Sequence, residues 1–123
     1  MAQQQIDLKP QITFGKFQNV DMRVARVISA PLADGTNAPT RVITIDLGPL
    51  GKKTSVGQYA LLDESELLGR NVVACVNLGA REIGPHVSEA LILGTPHPKS
   101  PNDQSQATPL FASDDATPGE SIF

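Results

Sequence analysis

Asn77-Leu78-Gly79-Ala80-Arg81-Glu82-Ile83-Gly84-Pro85-His86-Val87-Ser88-Glu89-Ala90-Leu91-Ile92-Leu93-Gly94 is the stretch on which the reading of this chain turns. An apolar run, Asn71 to Val76, leads into it, and a second, Ala90 to Leu93, closes it. Both runs are short and rich in Val, Ile and Leu, which suits strands better than long helices. Between them lies a polar segment with Gly and Pro turn residues, an Arg and a Ser-Glu pair. Polar side chains gathered in a loop between two strands are what a rigid sheet offers to a ligand.

Working outward, Arg41 to Leu47 alternates cleanly, so Ile43, Ile45 and Leu47 are predicted inward and Val42, Thr44 and Asp46 outward. Asp21 to Ile28 predicts a first strand, with Val24 and Ile28 on one face and Arg23, Ala25 and Val27 on the other. Thr13 is a helix-start signal before Phe14-Gly15-Lys16-Phe17. Residues 30–40 form a turn-rich loop, and Gly48-Pro49-Leu50-Gly51 is a hairpin turn into a third strand, Lys52 to Val56. Asp63-Glu64-Ser65-Glu66 has the form of a capping box, and Gly69 keeps the helix it opens short. The fourth strand, Asn71 to Val76, is apolar on both faces and is expected to be covered on both. Residues 95–107 read as a mobile loop, Thr108 to Ala112 as a sixth short strand, and Pro118-Gly119 as a turn before Ser121-Ile122-Phe123.

Five strands with a short helix between the third and fourth is the order of an OB-fold. The expectation is therefore all-β: a five-stranded Greek-key barrel over residues 12–94. An N-terminal arm, 1–11, and a C-terminal extension, 95–123, would be additions to it. OB-folds bind oligonucleotides on the face of their second and third strands and in the flanking loops. Arg41, Lys52, Lys53, Thr44 and Ser55 occupy that region, with Arg23 and Arg26 beside it. No aromatic residue stands on strands two or three, which argues against generic single-strand coating by base stacking and favours recognition of a structured RNA.

Composition excludes several classes. A chain of 123 residues with four Phe, one Tyr and no Trp makes one domain with an aliphatic core, and ten Gly and ten Pro imply many turns. No apolar run is long enough to insert in a membrane as a helix, and the polar N-terminus is not a signal peptide. The lone Cys75 forms no internal disulfide, which fits a cytoplasmic protein. The net charge of −3 is unevenly divided. Residues 1–60 carry seven cations against four acids; residues 61–123 carry three against nine. That asymmetry permits an RNA-binding face, though separated charges also serve solubility alone. His86 and His97 lack a paired ligand at metal spacing, no phosphate-cradling Gly loop is present, and Asp63, Glu64 and Glu66 read as a solvated helix start. The expectation is a protein without cofactor, metal or catalytic site.

The order of motifs resembles the tRNA-binding domain family. Asn77-Leu78, Arg81 and Ser88-Glu89 are similar to its Asn-Leu, Pro-Arg and Ser-Glu hallmark. Asp21-Met22-Arg23-Val24 is similar to its Asp-Ile-Arg-Val opening, Ile45-Asp46-Leu47-Gly48 to its hairpin entry, and Leu68-Gly69-Arg70-Asn71-Val72-Val73 to its lead-in to the fourth strand. Ser55-Val56-Gly57-Gln58 and the C-terminal tail resemble the free-standing CsaA-like branch. The resemblance implies an OB-fold, tRNA or other structured RNA as partner, and a homodimer built by the two extensions. It also implies an alternative, a chaperone that binds unfolded polypeptides. Ala80 stands in place of the family's Pro, and Glu82 and Val87 where relatives often carry cations.

Carried over by position, the RNA-contact candidates are Asn77, Arg81, Ser88 and Glu89, with Arg23, Arg26, Arg41, Lys52 and Lys53 as phosphate contacts. Each of the first four also has a structural reading. Asn77 would cap a loop, Ser88 would satisfy turn backbone groups, and Glu89 would hold Arg81 in an ion pair. For Glu89 the structural reading is preferred, because a carboxylate facing phosphates repels them.

Overall fold

The computed structural model describes residues 7–100 and 105–123. In chain order its strands are β1 Met22–Ser29, β2 Arg41–Asp46, β3 Lys52–Gly57, β4 Asn71–Cys75, β5 Arg81–Ile83, β6 His86–Ser88, β7 Leu91–Ile92, β8 Gly94–Pro96, β9 Ala107–Pro109 and β10 Ser121–Ile122. One short helix, α1 Phe14–Gln18, precedes them; the Thr13 side chain accepts the Lys16 N–H at its start. The main sheet runs β3-β2-β1-β4-β7, all antiparallel. These five strands curl into a nearly closed OB-fold barrel. β10 joins β1 at Met22 and Arg23, beyond the stretch that β2 occupies.

The alternation in β2 sets the inside of the barrel. Ile43, Ile45 and Leu47 are essentially inaccessible, while Val42, Thr44 and Asp46 are half-buried. Ala25 and Val27 of β1, Val72 and Ala74 of β4, Ile92 of β7 and Leu67 complete an aliphatic core. Tyr59 is the one aromatic residue buried among them. Burial pushes its phenol up to about 12, so it remains a donor, and it gives its proton to the Ile92 carbonyl at 2.7 Å. Gly57 and Gly94 lie against Tyr59, where a Cβ on Gly57 would stand 2.7 Å from the ring and one on Gly94 would stand 3.0 Å from its hydroxyl oxygen.

Three expectations change. The helix between the third and fourth strands is a single 3-10 turn, Glu64–Glu66. Its capping box does form, with Glu66 Oε1 accepting the Asp63 N–H at 2.9 Å. The turn ends at once because Gly69, at φ 76°, hands its N–H to the Val27 carbonyl at 2.9 Å and turns the chain into β4. Residues 95–107 are not simply a loop: β8 pairs with β9, and the Ala107 N–H is held by the Gln58 carbonyl at 2.7 Å. The polar stretch after Asn77 contains a hairpin of its own, β5–β6, across the two-residue turn Gly84-Pro85.

The C-terminal segment follows the barrel closely. Leu110 and Ala112 pair with the edge of β4 that β7 leaves free, through Val73 N–H to Leu110 O at 3.1 Å and Ala112 N–H to Asn71 O at 2.9 Å. Buried Asn71 donates to the carbonyls of Ser113 and Ala116, and the Arg70 guanidinium lies 3.6 Å over the Phe111 ring. Phe111 thus packs on its own chain's core. Of the apolar ends, Ile12, Phe14, Phe17, Leu110 and Phe123 remain exposed. Of the expected arm 1–11, residues 1–6 lie outside the described residues.

Candidate nucleic-acid interface

The Ser-Glu pair closes the barrel. β3 and the segment entering β7 must be joined for the sheet to curl shut, and side chains serve as acceptors there. Ser88 Oγ accepts the Val56 N–H at 3.0 Å and donates to the Ala90 carbonyl at 3.1 Å. Glu89 Oε1 accepts the Thr54 N–H at 3.0 Å, and the Glu89 N–H returns to the Thr54 carbonyl at 2.7 Å. Ser88 is 1% exposed, so its hydroxyl faces the seam and not a ligand. Glu89 is exposed but makes no ion pair with Arg81; among the described residues the only ion pair is Arg23–Asp21.

Asn77 and Arg41 are occupied in the same way. Asn77 Oδ1 accepts the Asp21 N–H at 2.9 Å and its Nδ2 donates to the Asn19 carbonyl at 2.7 Å, so it ties the end of β4 to the corner between α1 and β1. Arg41 shares the inward phase of Ile43 and Ile45 and is 8% exposed. Its guanidinium donates to the carbonyls of Ala30 at 2.6 Å, Tyr59 at 3.2 Å and Leu62 at 2.9 Å. A planar fork with several fixed donors is the group that can join three separate carbonyls, which Lys cannot do. The phosphate-contact expectation for Arg41 gives way to this structural role.

Five of the expected residues are left. Arg23 is half-buried, clamped on Asp21 at 2.7 Å and on the Gly119 carbonyl at 3.2 Å. Arg26 is exposed, with only Nε engaged among the described residues, by Asn71 Oδ1 at 3.3 Å. The register sets Arg26 opposite Asp46 and Asp46 opposite Lys52, a row across β1, β2 and β3. Lys53 is half-buried on the face of its partner Ile45. Arg81 is exposed on β5, opposite Ser88, which fixes it beside Val56 at the far end of β3 from Lys52. Four residues of strand separate those ends, about 13 Å.

Arg81 lines a groove of about 730 Å³. One wall is the loop of residues 35–40, the other the β5 strand; Tyr59, Leu91 and Leu93 line its interior, and Gln106 and Ala107 the side toward β9. Among the described lining residues Arg81 is the only cation and Glu82 the only carboxylate. The rest of the lining alternates amide or hydroxyl groups, such as Thr36, Asn37 and Gln58, with aliphatic carbon. Such a surface can bond to bases, sugars or peptide groups, with one fixed positive charge to hold a phosphate or carboxylate. The loop wall was absent from the sequence reading, because nothing local in residues 35–40 shows which strand they face.

With the barrel and its groove described, comparison with known proteins is informative. No family model matches the chain. The methionine–tRNA ligase of Pelodictyon phaeoclathratiforme is 37% identical over 91 residues, covering 74% of this chain and 13% of the ligase. That of Chlorobium chlorochromatii is 31% identical over 93 residues, again 13% of the ligase. The chain therefore matches only a small part of these enzymes. Among solved structures, the CsaA chaperone protein of Picrophilus torridus superposes with a TM-score of 0.81 at 25% identity, covering 92% of this chain and all of that one. Chaperone CsaA of Bacillus anthracis gives 0.81 at 26% identity, over 93% of this chain and all of its own. The barrel has the CsaA fold. The likeness runs past the five strands into both ends, so the wrapped C-terminal segment is part of it. No helix among the described residues is long and apolar enough to cross a membrane, and they hold no cluster of three or more His, Cys, Asp or Glu fit for a metal ion.

Proposed function

We propose that this chain is a non-enzymatic, cytoplasmic module that binds tRNA or another structured RNA. The observation that carries the reading is Arg81, an exposed residue without an ion pair among the described residues, lining a groove at the end of the strand that carries Lys52 and Lys53. Its support from relatives is the homology to a segment of tRNA ligases. The fixed parts of the signature, Asn77, Ser88 and Glu89, shape the barrel that presents this Arg. Phosphate contact would come from Arg81, Arg26, Lys52 and Lys53, with Asp46 between Arg26 and Lys52 moderating the field. Arg81→Ala is expected to weaken a tRNA complex several-fold and to lower the slope of log affinity on log salt by about 0.7 to 0.9. Filter binding at several salt concentrations reads both. An unchanged slope would remove Arg81 from the interface.

A second reading is favoured by a separate observation. Ile83, Leu91 and Leu93 give the groove aliphatic walls, and two structures of the same fold are described as chaperones. An unfolded polypeptide is the alternative ligand, held through backbone bonding and apolar contact. Either ligand would be met by a homodimer. Leu8, Ile12, Phe14 and Phe17 are exposed within one short stretch, and a run of that kind marks a surface meant for a partner. Sedimentation at micromolar concentration is expected to give the dimer mass; a monomer there removes the dimer from the account.

A further inference from the structure

The two walls of the groove are separate in sequence by about fifty residues, yet they are fastened to each other at one point. His86 Nε2 lies 2.7 Å from the Asp34 carbonyl oxygen. A carbonyl only accepts, so that nitrogen carries the proton and donates. Beside this bond the hairpin tip sits directly on the loop. A Cβ on Gly84 would stand 2.5 Å from the Gly35 carbonyl oxygen, and one on Gly35 would stand 3.0 Å from the Pro85 ring. Both glycines have positive φ, 58° and 78°, so neither the space nor the backbone suits another residue. Gly35 and Thr36 line one wall, Ile83 and Gly84 the other. Neither wall is a strand of the main sheet: the hairpin rests on β3 through the Ser88 and Glu89 bonds to Val56 and Thr54, while residues 33–40 carry no strand and are held from behind by the Gln106 Nε2 bond to the Pro39 carbonyl at 2.9 Å.

We infer that the contact of His86 with Asp34, seated by Gly84 and Gly35, is a clasp that holds the two walls as one unit and makes His86 the positioning residue for Arg81. The hairpin is anchored at its base by Ser88, which bonds to Val56, and at its tip by His86. Arg81 stands on the arm between, at the base register of the hairpin. Held only at its base, by the Ser88 bond to Val56 and the Glu89 bonds to Thr54, a three-residue two-stranded ribbon has little stability of its own toward the tip. Releasing the tip therefore frees the outer arm, β5, from the loop wall, widens the groove and loosens the placement of the Arg81 side chain on that arm. The inference rests on the RNA reading for its second arm only.

The decisive variants are His86→Ala, which removes the donor, and His86→Gln, whose side-chain amide reaches out with an N–H in its place. Hydrogen exchange of the free protein reads the clasp without any ligand. His86→Ala is expected to speed exchange at 34–38 and at 81–86 together, and His86→Gln to restore both. Acceleration in one segment alone, or no rescue by Gln, overturns the clasp. Titration with tRNA reads the positioning. His86→Ala is expected to lower affinity about as much as Arg81→Ala, with the same fall in salt slope, and to add nothing in the double variant. Additive losses with an unchanged slope overturn the positioning role. Absence of any complex with the unaltered protein at low salt removes the RNA reading, while the exchange result still decides the clasp.

Discussion

Arg41→Ala is expected to cost more stability than any other single substitution considered for this chain. Three carbonyls, of Ala30, Tyr59 and Leu62, lose their shared donor. Those carbonyls belong to the loop after β1 and to the segment after β3, so the guanidinium joins parts of the chain that no strand pairing links. Bonds to a charged donor contribute about 1.5 to 3 kcal/mol each, and water entering the vacated space restores part of that, leaving an expected loss of about 3 to 5 kcal/mol. A domain has only about 5 to 15 kcal/mol in total, so the denaturation midpoint should fall sharply or the variant should fail to fold. Arg81→Ala, on an exposed strand, should stay within about 0.5 kcal/mol of the parent. A loss below about 1 kcal/mol for Arg41→Ala would return that residue to the surface and to the list of phosphate contacts.

The second large effect is at the seam. Ser88→Ala leaves the Val56 N–H without its acceptor and the Ala90 carbonyl without its donor, where Val56 and Ser88 are 4% and 1% exposed. Each stranded group costs about 1 to 3 kcal/mol, so a total near 2 to 4 kcal/mol is expected in urea denaturation. Glu89→Gln is the matched control. Its amide oxygen still accepts the Thr54 N–H, so stability should scarcely move. If Ser88→Ala were as stable as the parent but lost RNA affinity, the pair would be ligand contacts and the seam would owe its closure to something else.

Much of the fold was legible because its signals are local. The alternation of Ile43, Ile45 and Leu47, the Thr13 cap, the Asp63–Glu66 capping box and the Gly-Pro turn at 48–51 each depend on residues within one turn or one strand. The site was less legible because its bonds are distant. Ser88 acts on Val56 across 32 positions and Asn77 on Asn19 across 58. A Ser-Glu pair that closes a barrel looks, in sequence, the same as one that waits for a ligand. Arg41 did carry a usable sign. It stands two and four residues before Ile43 and Ile45, in phase with the inward face, and a cation on that phase is one that the interior must satisfy. The hairpin at 81–88 was concealed by its polarity, since neither arm has an apolar face to bury. The course of the tail had no local signal at all; β10 meets β1 across nearly the whole chain.

RNA binding by the groove and the cations along β3, through Arg81, is the proposal on which the rest depends. The most direct measurement is a titration of the full chain with tRNA and, in parallel, with an unfolded polypeptide across a salt series. A tRNA complex is expected at low salt, weakening steeply as salt rises and further with Arg81→Ala. No tRNA complex at low salt, together with polypeptide binding that neither salt nor Arg81→Ala disturbs, would contradict it.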